Sequence, residues 1–164
     1  MCITGALADW DVPARSSDLW RRWGASCVPV ETRLGDALPE LGERVPREPP
    51  LREAAGRVYQ RSVWLGPAGT RTPLHRDPYH NLLCQAWGAK AVRLYAPKHA
   101  AALAPYPQHA LRNTSQLDGG DPRLTGVPCW ECELRATEAL YIPRRWWHEV
   151  TATSASLSVS YWWT

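Results

Sequence analysis

Phenylalanine is absent from this 164-residue chain, methionine occurs once, and lysine occupies only positions 90 and 98. The aromatic content is carried by 10 Trp and 6 Tyr, side chains that bury large areas but keep a polar atom in need of a partner. Such a chain suits a barrel or sandwich with a partly wet interior. No apolar run approaches the roughly 20 residues needed to span a bilayer, so no membrane partner is expected. Residues 1–10 hold neither a basic stretch nor a long apolar run, so no signal peptide is expected. The default expectation is a soluble protein of the nucleus or cytoplasm.

Clustered charge is missing as well. The formal net charge is +3, nearly all the positive charge is arginine, and acidic residues are scattered among the basic ones. The electrostatic footprint of a nucleic-acid binder is therefore lacking, and no direct nucleic-acid contact is expected. Cysteine is sparse and odd in number: Cys2, Cys27, Cys84, Cys129 and Cys132. Their irregular spacing excludes a disulfide framework. Cys129 and Cys132 form one CxxC, but a structural zinc site needs a second half or nearby histidines. The pair is read as two reduced thiols.

The length fits one domain. Residues 1–57 read as a flanking segment, partly loop. Within it, 17–23 offers a short helix capped by Ser16 or Ser17. Residues 27–31 read as a short strand whose Pro29 suggests a sheet edge, and 51–55 as one helical turn. From Val58 the texture changes to short apolar runs separated by turn residues, the pattern of an all-β sandwich or barrel. Strands are predicted at 58–65, 74–77, 81–87, 90–95, 132–134, 139–142, 148–152 and 156–163. Residues 98–127 form a long insert with a helix-like patch at 99–103. The last strand alternates cleanly, with Leu157, Val159, Tyr161 and Trp163 on one face and Ser156, Ser158, Ser160 and Trp162 on the other.

The stretch Thr72-Pro73-Leu74-His75-Arg76-Asp77 carries the chemistry. On a strand, residues two apart share a face, so His75 and Asp77 can grip one metal ion together. His148, in Pro143-Arg144-Arg145-Trp146-Trp147-His148, is the candidate third ligand. Two histidines and one carboxylate leave three positions open, the arrangement favoured by non-haem Fe(II) oxygenases. In such enzymes 2-oxoglutarate chelates iron by its keto acid and leaves a distal carboxylate to be neutralised. A buried cation with a hydroxyl suits that task. Lys90 and Thr72 are the candidates, with Asn81 supplying an amide. Taken singly, each of these residues also fits a bland role, as turn, surface or core.

The stretches Trp64–Pro78 and Asn81–Pro97 resemble the JmjC-domain hydroxylases, Fe(II)- and 2-oxoglutarate-dependent oxygenases. Residues 111–118 and 158–164 fit the same family, so the likeness covers 58–164 with few gaps; a weaker match runs over 5–31. The resemblance implies a double-stranded β-helix, a cupin-like jelly roll, with short flanking helices and 58–164 as the catalytic barrel. It implies iron on His75, Asp77 and His148 and 2-oxoglutarate contacts from Thr72, Asn81 and Lys90. Trp64 and Trp162 match aromatic positions near the family's pocket. With O₂ as the other co-substrate, the implied reaction couples decarboxylation of 2-oxoglutarate to hydroxylation of a protein or histone-tail substrate, of the arginyl-hydroxylating or lysine-demethylating type.

The family pattern is interrupted between Arg33 and Leu34, where relatives carry a further segment with a tyrosine that helps bind the 2-oxoglutarate carboxylate. Two other functions stay open at this point. One is a non-catalytic JmjC-like module that binds a protein; the other is a cupin-like metalloenzyme that dispenses with 2-oxoglutarate, against which Lys90 argues. Arg144 and Arg145 read as solvated turn residues, with attraction of an acidic substrate segment as the alternative.

Overall fold

The computed structural model describes residues 56–164 without a break, together with 45–51, 30–33, 2–5 and positions 7, 10 and 43. The expected helix at 17–23, residues 27–29 of the first expected strand, and most of 34–55 lie outside the described residues.

Ten strands are present among the described residues. They are β1 (Cys2–Ile3), β2 (Val30–Arg33), β3 (Val58–Gly66), β4 (Arg71–Arg76), β5 (His80–Trp87), β6 (Ala89–Tyr95), β7 (Trp130–Arg135), β8 (Ala139–Ile142), β9 (Trp147–Ala152) and β10 (Ser156–Trp163). One sheet runs β1-β8-β5-β10-β3-β2 and the other β4-β9-β6-β7, and all pairings are antiparallel. This is the all-β architecture that the alternating pattern predicts, and the jelly roll that the family resemblance implies. β2 sits at the sheet edge, as Pro29 suggests.

The two sheets enclose one interior. Leu83 of β5, Val92 and Leu94 of β6, Leu134 of β7, and Leu140 and Ile142 of β8 pack there into a single cluster. A second cluster lies outside the larger sheet, where Leu7 and Val45 cover Val63, Leu82, Val159 and Tyr161. A third lies outside the smaller sheet, where Leu103, Leu117 and Leu124 of the insert cover Leu74, Tyr95 and Trp147. The insert thus acts as an outer layer for the strands that bear the histidines.

Local chemistry fixes the corners. Gly88 alone separates β5 from β6, at φ 73°, and a Cβ there would lie 2.2 Å from the Ala155 carbonyl oxygen. Only glycine fits both demands. The helix-like patch at 99–103 is instead a 3₁₀ turn over Pro97–His99 followed by further turns. So few residues cannot repay the nucleation of an α-helix, and Ala104 at φ 43° ends the run. Within 58–164 there are three 3₁₀ turns, at Pro97–His99, His109–Leu111 and Pro122–Leu124, and in the flanking segment Glu43 is helical.

Candidate metal centre

β4 and β9 are neighbours, and their register sets His75 directly opposite His148. The ring centroids are 4.2 Å apart. Two histidines far apart in sequence thus become a cross-strand pair. Asp77 completes the cluster: its carboxylate oxygens lie 3.9 Å from His75 Nε2 and 3.7 Å from His148 Nε2. These separations are too long for hydrogen bonds. One ligand atom from each residue lies within 4.8 Å of the others, and among the described residues this is the cluster of three or more such side chains able to hold a metal ion.

The orientation of the rings is built in. His75 Nδ1 donates to the Pro73 carbonyl at 2.7 Å, and His148 Nδ1 to the Trp146 carbonyl at 3.1 Å. Each bond spends the δ nitrogen on the backbone and leaves Nε2 as the lone pair facing the centre. His148 is 3% exposed. Burial, and then the neighbouring His75, push its imidazole down to about 4, so it is neutral at physiological pH, as a metal ligand must be.

The structure corrects one step of the strand argument. β4 ends at Arg76, so Asp77 lies just beyond it. It is placed by the turn rather than by strand alternation, and the Arg145 amide donates to its carbonyl at 2.8 Å. Arg145 itself adopts φ 66°, a left-handed conformation uncommon outside glycine. Thr72 and His75 face the same interior although they are three apart, because the register shifts between them. Pro73, which has no amide hydrogen, sits at that irregularity.

All eight residues singled out from the sequence, Trp64, Thr72, His75, Asp77, Asn81, Lys90, His148 and Trp162, line one cavity of about 320 Å³. Lys90 heads β6 and points inward from it, at 8% exposure. Burial pushes its ammonium down to about 8, and among the described residues no carboxylate pairs with it. Asn81 Oδ1 and Trp162 Nε1 are buried without a hydrogen-bond partner. Trp64 donates from Nε1 to Ser160 Oγ at 3.0 Å and meets Trp162 edge to face. The buried cation and the unpaired Trp162 donor together match a ligand that carries carboxylates.

Two contributors escape sequence reasoning. Ser160 lines the cavity from β10, and Thr114 reaches it from the insert, bridging to His75. Ser160 belongs to a visible alternation. Nothing in the sequence near Thr114 announces its role, because the contact depends on the insert folding back along β4, where Arg76 donates to Asn113 and Ser115 to Leu74. Among the described residues the CxxC forms part of no such cluster: Cys129 is exposed, Cys132 half-buried, and both are free thiols.

A jelly roll with two histidines and a carboxylate on its inner wall defines a cupin-type metal-binding protein. The model of the cupin-like domain family matches residues 5–164, so the chain belongs to that family, and within it to the JmjC group. It is 43% identical over 115 residues to lysine-specific demethylase JMJ30 of Arabidopsis thaliana, covering 66% of this chain and 27% of that protein. Lysine-specific demethylase 8 of Xenopus tropicalis is 38% identical over 143 residues, 82% of this chain and 32% of that protein. The chain therefore spans about a third of the length of these relatives. Among solved structures, ycfD of E. coli superposes with a TM-score of 0.58 at 20% identity over 82% of this chain and 33% of its own, which is a likeness of fold.

Proposed function

We propose that this chain is the catalytic barrel of an Fe(II)- and 2-oxoglutarate-dependent protein hydroxylase, using O₂ and acting by arginyl hydroxylation or histone lysine demethylation. One observation carries the proposal. Three convergent metal-ligand atoms share a cavity with a buried lysine that has no carboxylate partner among the described residues. In the β6–β9 ladder, Leu94 stands opposite His148 and Lys90 opposite Ala152. Four residues of strand separate the two levels by about 13 Å of backbone, a span that a lysine side chain and a five-carbon dicarboxylate fill together.

His75, Asp77 and His148 would hold the iron, with the backbone-bonded δ nitrogens fixing both rings. Lys90 and the Thr72 hydroxyl would take the distal carboxylate, and the Asn81 amide and Trp162 indole the polar atoms nearer the metal. When bound, iron and 2-oxoglutarate supply oxidative decarboxylation coupled to hydroxylation of a C–H bond. Trp64 and Ile142, on the cavity wall, help to exclude water. The substrate class is protein, a reading supported by the names of the two demethylase relatives. Reduced thiols at Cys2, Cys84, Cys129 and Cys132 fit the nucleus or cytoplasm. Among the described residues no helix is long and apolar enough to cross a membrane.

The test is 2-oxoglutarate titrated into the purified chain loaded with Mn(II), an inert stand-in for iron, with His148→Ala as control. Metal-dependent binding, lost in the variant, is the expected result. A folded, metal-loaded chain that ignores 2-oxoglutarate would overturn the proposal and leave a protein-binding module of the same fold.

A further inference from the structure

A second cavity of about 270 Å³ adjoins the metal-bearing one, and five residues belong to both walls: Trp64, Thr72, Pro73, Lys90 and Val150. Beyond them the second cavity is lined by Leu65, Gly66, Thr70, Arg71 and Ala152, none of which touches the first. Lys90 therefore stands on the partition rather than at a closed end. Its ammonium is tied to no carboxylate among the described residues, and its four-carbon stem is flexible. It can meet an anion at the partition or just past it.

The far side offers a carboxylate a polar partner. Thr70 offers a hydroxyl, and Gly66 leaves it uncovered: a Cβ at Gly66 would lie 2.7 Å from Thr70 Oγ1. Arg71 adds positive potential, although its guanidinium is engaged by Glu149 and Asp118. Ala152, directly opposite Lys90 in the ladder, has only a methyl group to project.

We propose that the co-substrate channel also accepts 2-oxo dicarboxylates longer than 2-oxoglutarate, with 2-oxoadipate as the simplest. The inference rests on the function proposed above. The keto-acid end stays at the triad. The added methylene lies between Thr72 and Val150, and the distal carboxylate moves past the partition towards Thr70 Oγ1 while keeping Lys90. A pocket closed at its far end penalises one misplaced methylene by about 10- to 200-fold; a channel that continues does not.

Calorimetric titration of both acids into the Mn(II)-loaded chain tests this. The two affinities should agree within about fivefold, below the discrimination typical of one methylene. Ala152→Val fills the second cavity alone, so it should leave 2-oxoglutarate binding unchanged and weaken 2-oxoadipate by about tenfold or more. Thr70→Val, equal in size without the hydroxyl, should act in the same direction and serves if Ala152→Val fails to fold. Wild-type chain that binds 2-oxoglutarate but rejects 2-oxoadipate by about tenfold or more overturns this inference alone. Equal binding of both acids that neither variant disturbs overturns the route through the second cavity. Absence of binding by either acid overturns the co-substrate assignment itself, and this inference with it.

Discussion

Replacing Lys90 with Met should stabilise the metal-free chain while abolishing its affinity for 2-oxoglutarate. Burial moves the ammonium from its ordinary 10.5 to about 8, with no opposing charge to offset the effect. That displacement corresponds to about 3 kcal/mol of preference for the neutral form. Because the folded state gives up this proton more readily than the unfolded chain, the unfolded chain binds more protons between pH 8 and 10.5, and stability rises with pH across that window. Below pH 8 the full cost is present. Methionine keeps the length and apolar stem without the charge. At pH 7 the variant should therefore be more stable by up to about 3 kcal/mol, or about 6–12 °C in Tm for a chain of this size. Near pH 9.5 the advantage should shrink to about 1 kcal/mol. Urea unfolding of both proteins at the two pH values, with metal chelated, measures this directly. A variant less stable than wild type at pH 7, or an advantage that ignores pH, would show that Lys90 is held by a partner and would refute the reasoning.

Trp147 is fully buried beneath the Arg76 guanidinium, whose carbon lies 5.0 Å from the ring centroid. Trp147→Ala should cost about 3–5 kcal/mol by chemical denaturation; a loss under 1 kcal/mol would mean that the insert collapses to fill the space. Converting Cys129 and Cys132 to serine should leave bound-metal content by elemental analysis unchanged, and loss of an ion would restore the CxxC as a metal site. Arg144→Gln combined with Arg145→Gly, the glycine matching the left-handed backbone at 145, should change stability by no more than about 0.5 kcal/mol. Substrate KM should also hold, because both side chains are exposed. A several-fold rise in KM would instead show that they attract an acidic segment.

Strand positions were legible because alternation reports a buried face directly. The segments 139–142 and 156–163 match β8 and β10 residue for residue. The His75, Asp77 and His148 cluster was legible for a different reason: an HxD pair and a later histidine are common by themselves, and it was their neighbours and the likeness of 64–78 and 81–97 to a known family that singled them out. What the sequence conceals is phase and cover. Pro73 breaks the two-residue period between Thr72 and His75, so simple counting would put Thr72 on the wrong face. Asp77 depends on an amide from Arg145, a contact between two loops that no periodicity encodes. The packing of 98–127 over Trp147 and Leu74 is long-range as well, and composition marks that stretch only as rich in turns.

β10 shows why the unusual aromatic inventory belongs to this fold. Its alternation suggests one buried face and one wet face, yet all eight residues are buried. The apolar face lies under Leu7 and Val45. The serine face looks into the barrel, where Ser158 donates to Gln85 Oε1 at 2.7 Å and Ser160 accepts from Trp64. An interior walled this way suits tryptophan, whose Nε1 can donate to a serine, and offers little to phenylalanine. Trp64 has such a partner and Trp162 does not. An unmet buried donor costs about 1–3 kcal/mol. Together with the charge of Lys90, which meets no carboxylate among the described residues, that cost falls around the one cavity where a carboxylate-bearing ligand would remove both at once. The unpaired indole and the buried charge thus lie where a dicarboxylate would stabilise the barrel.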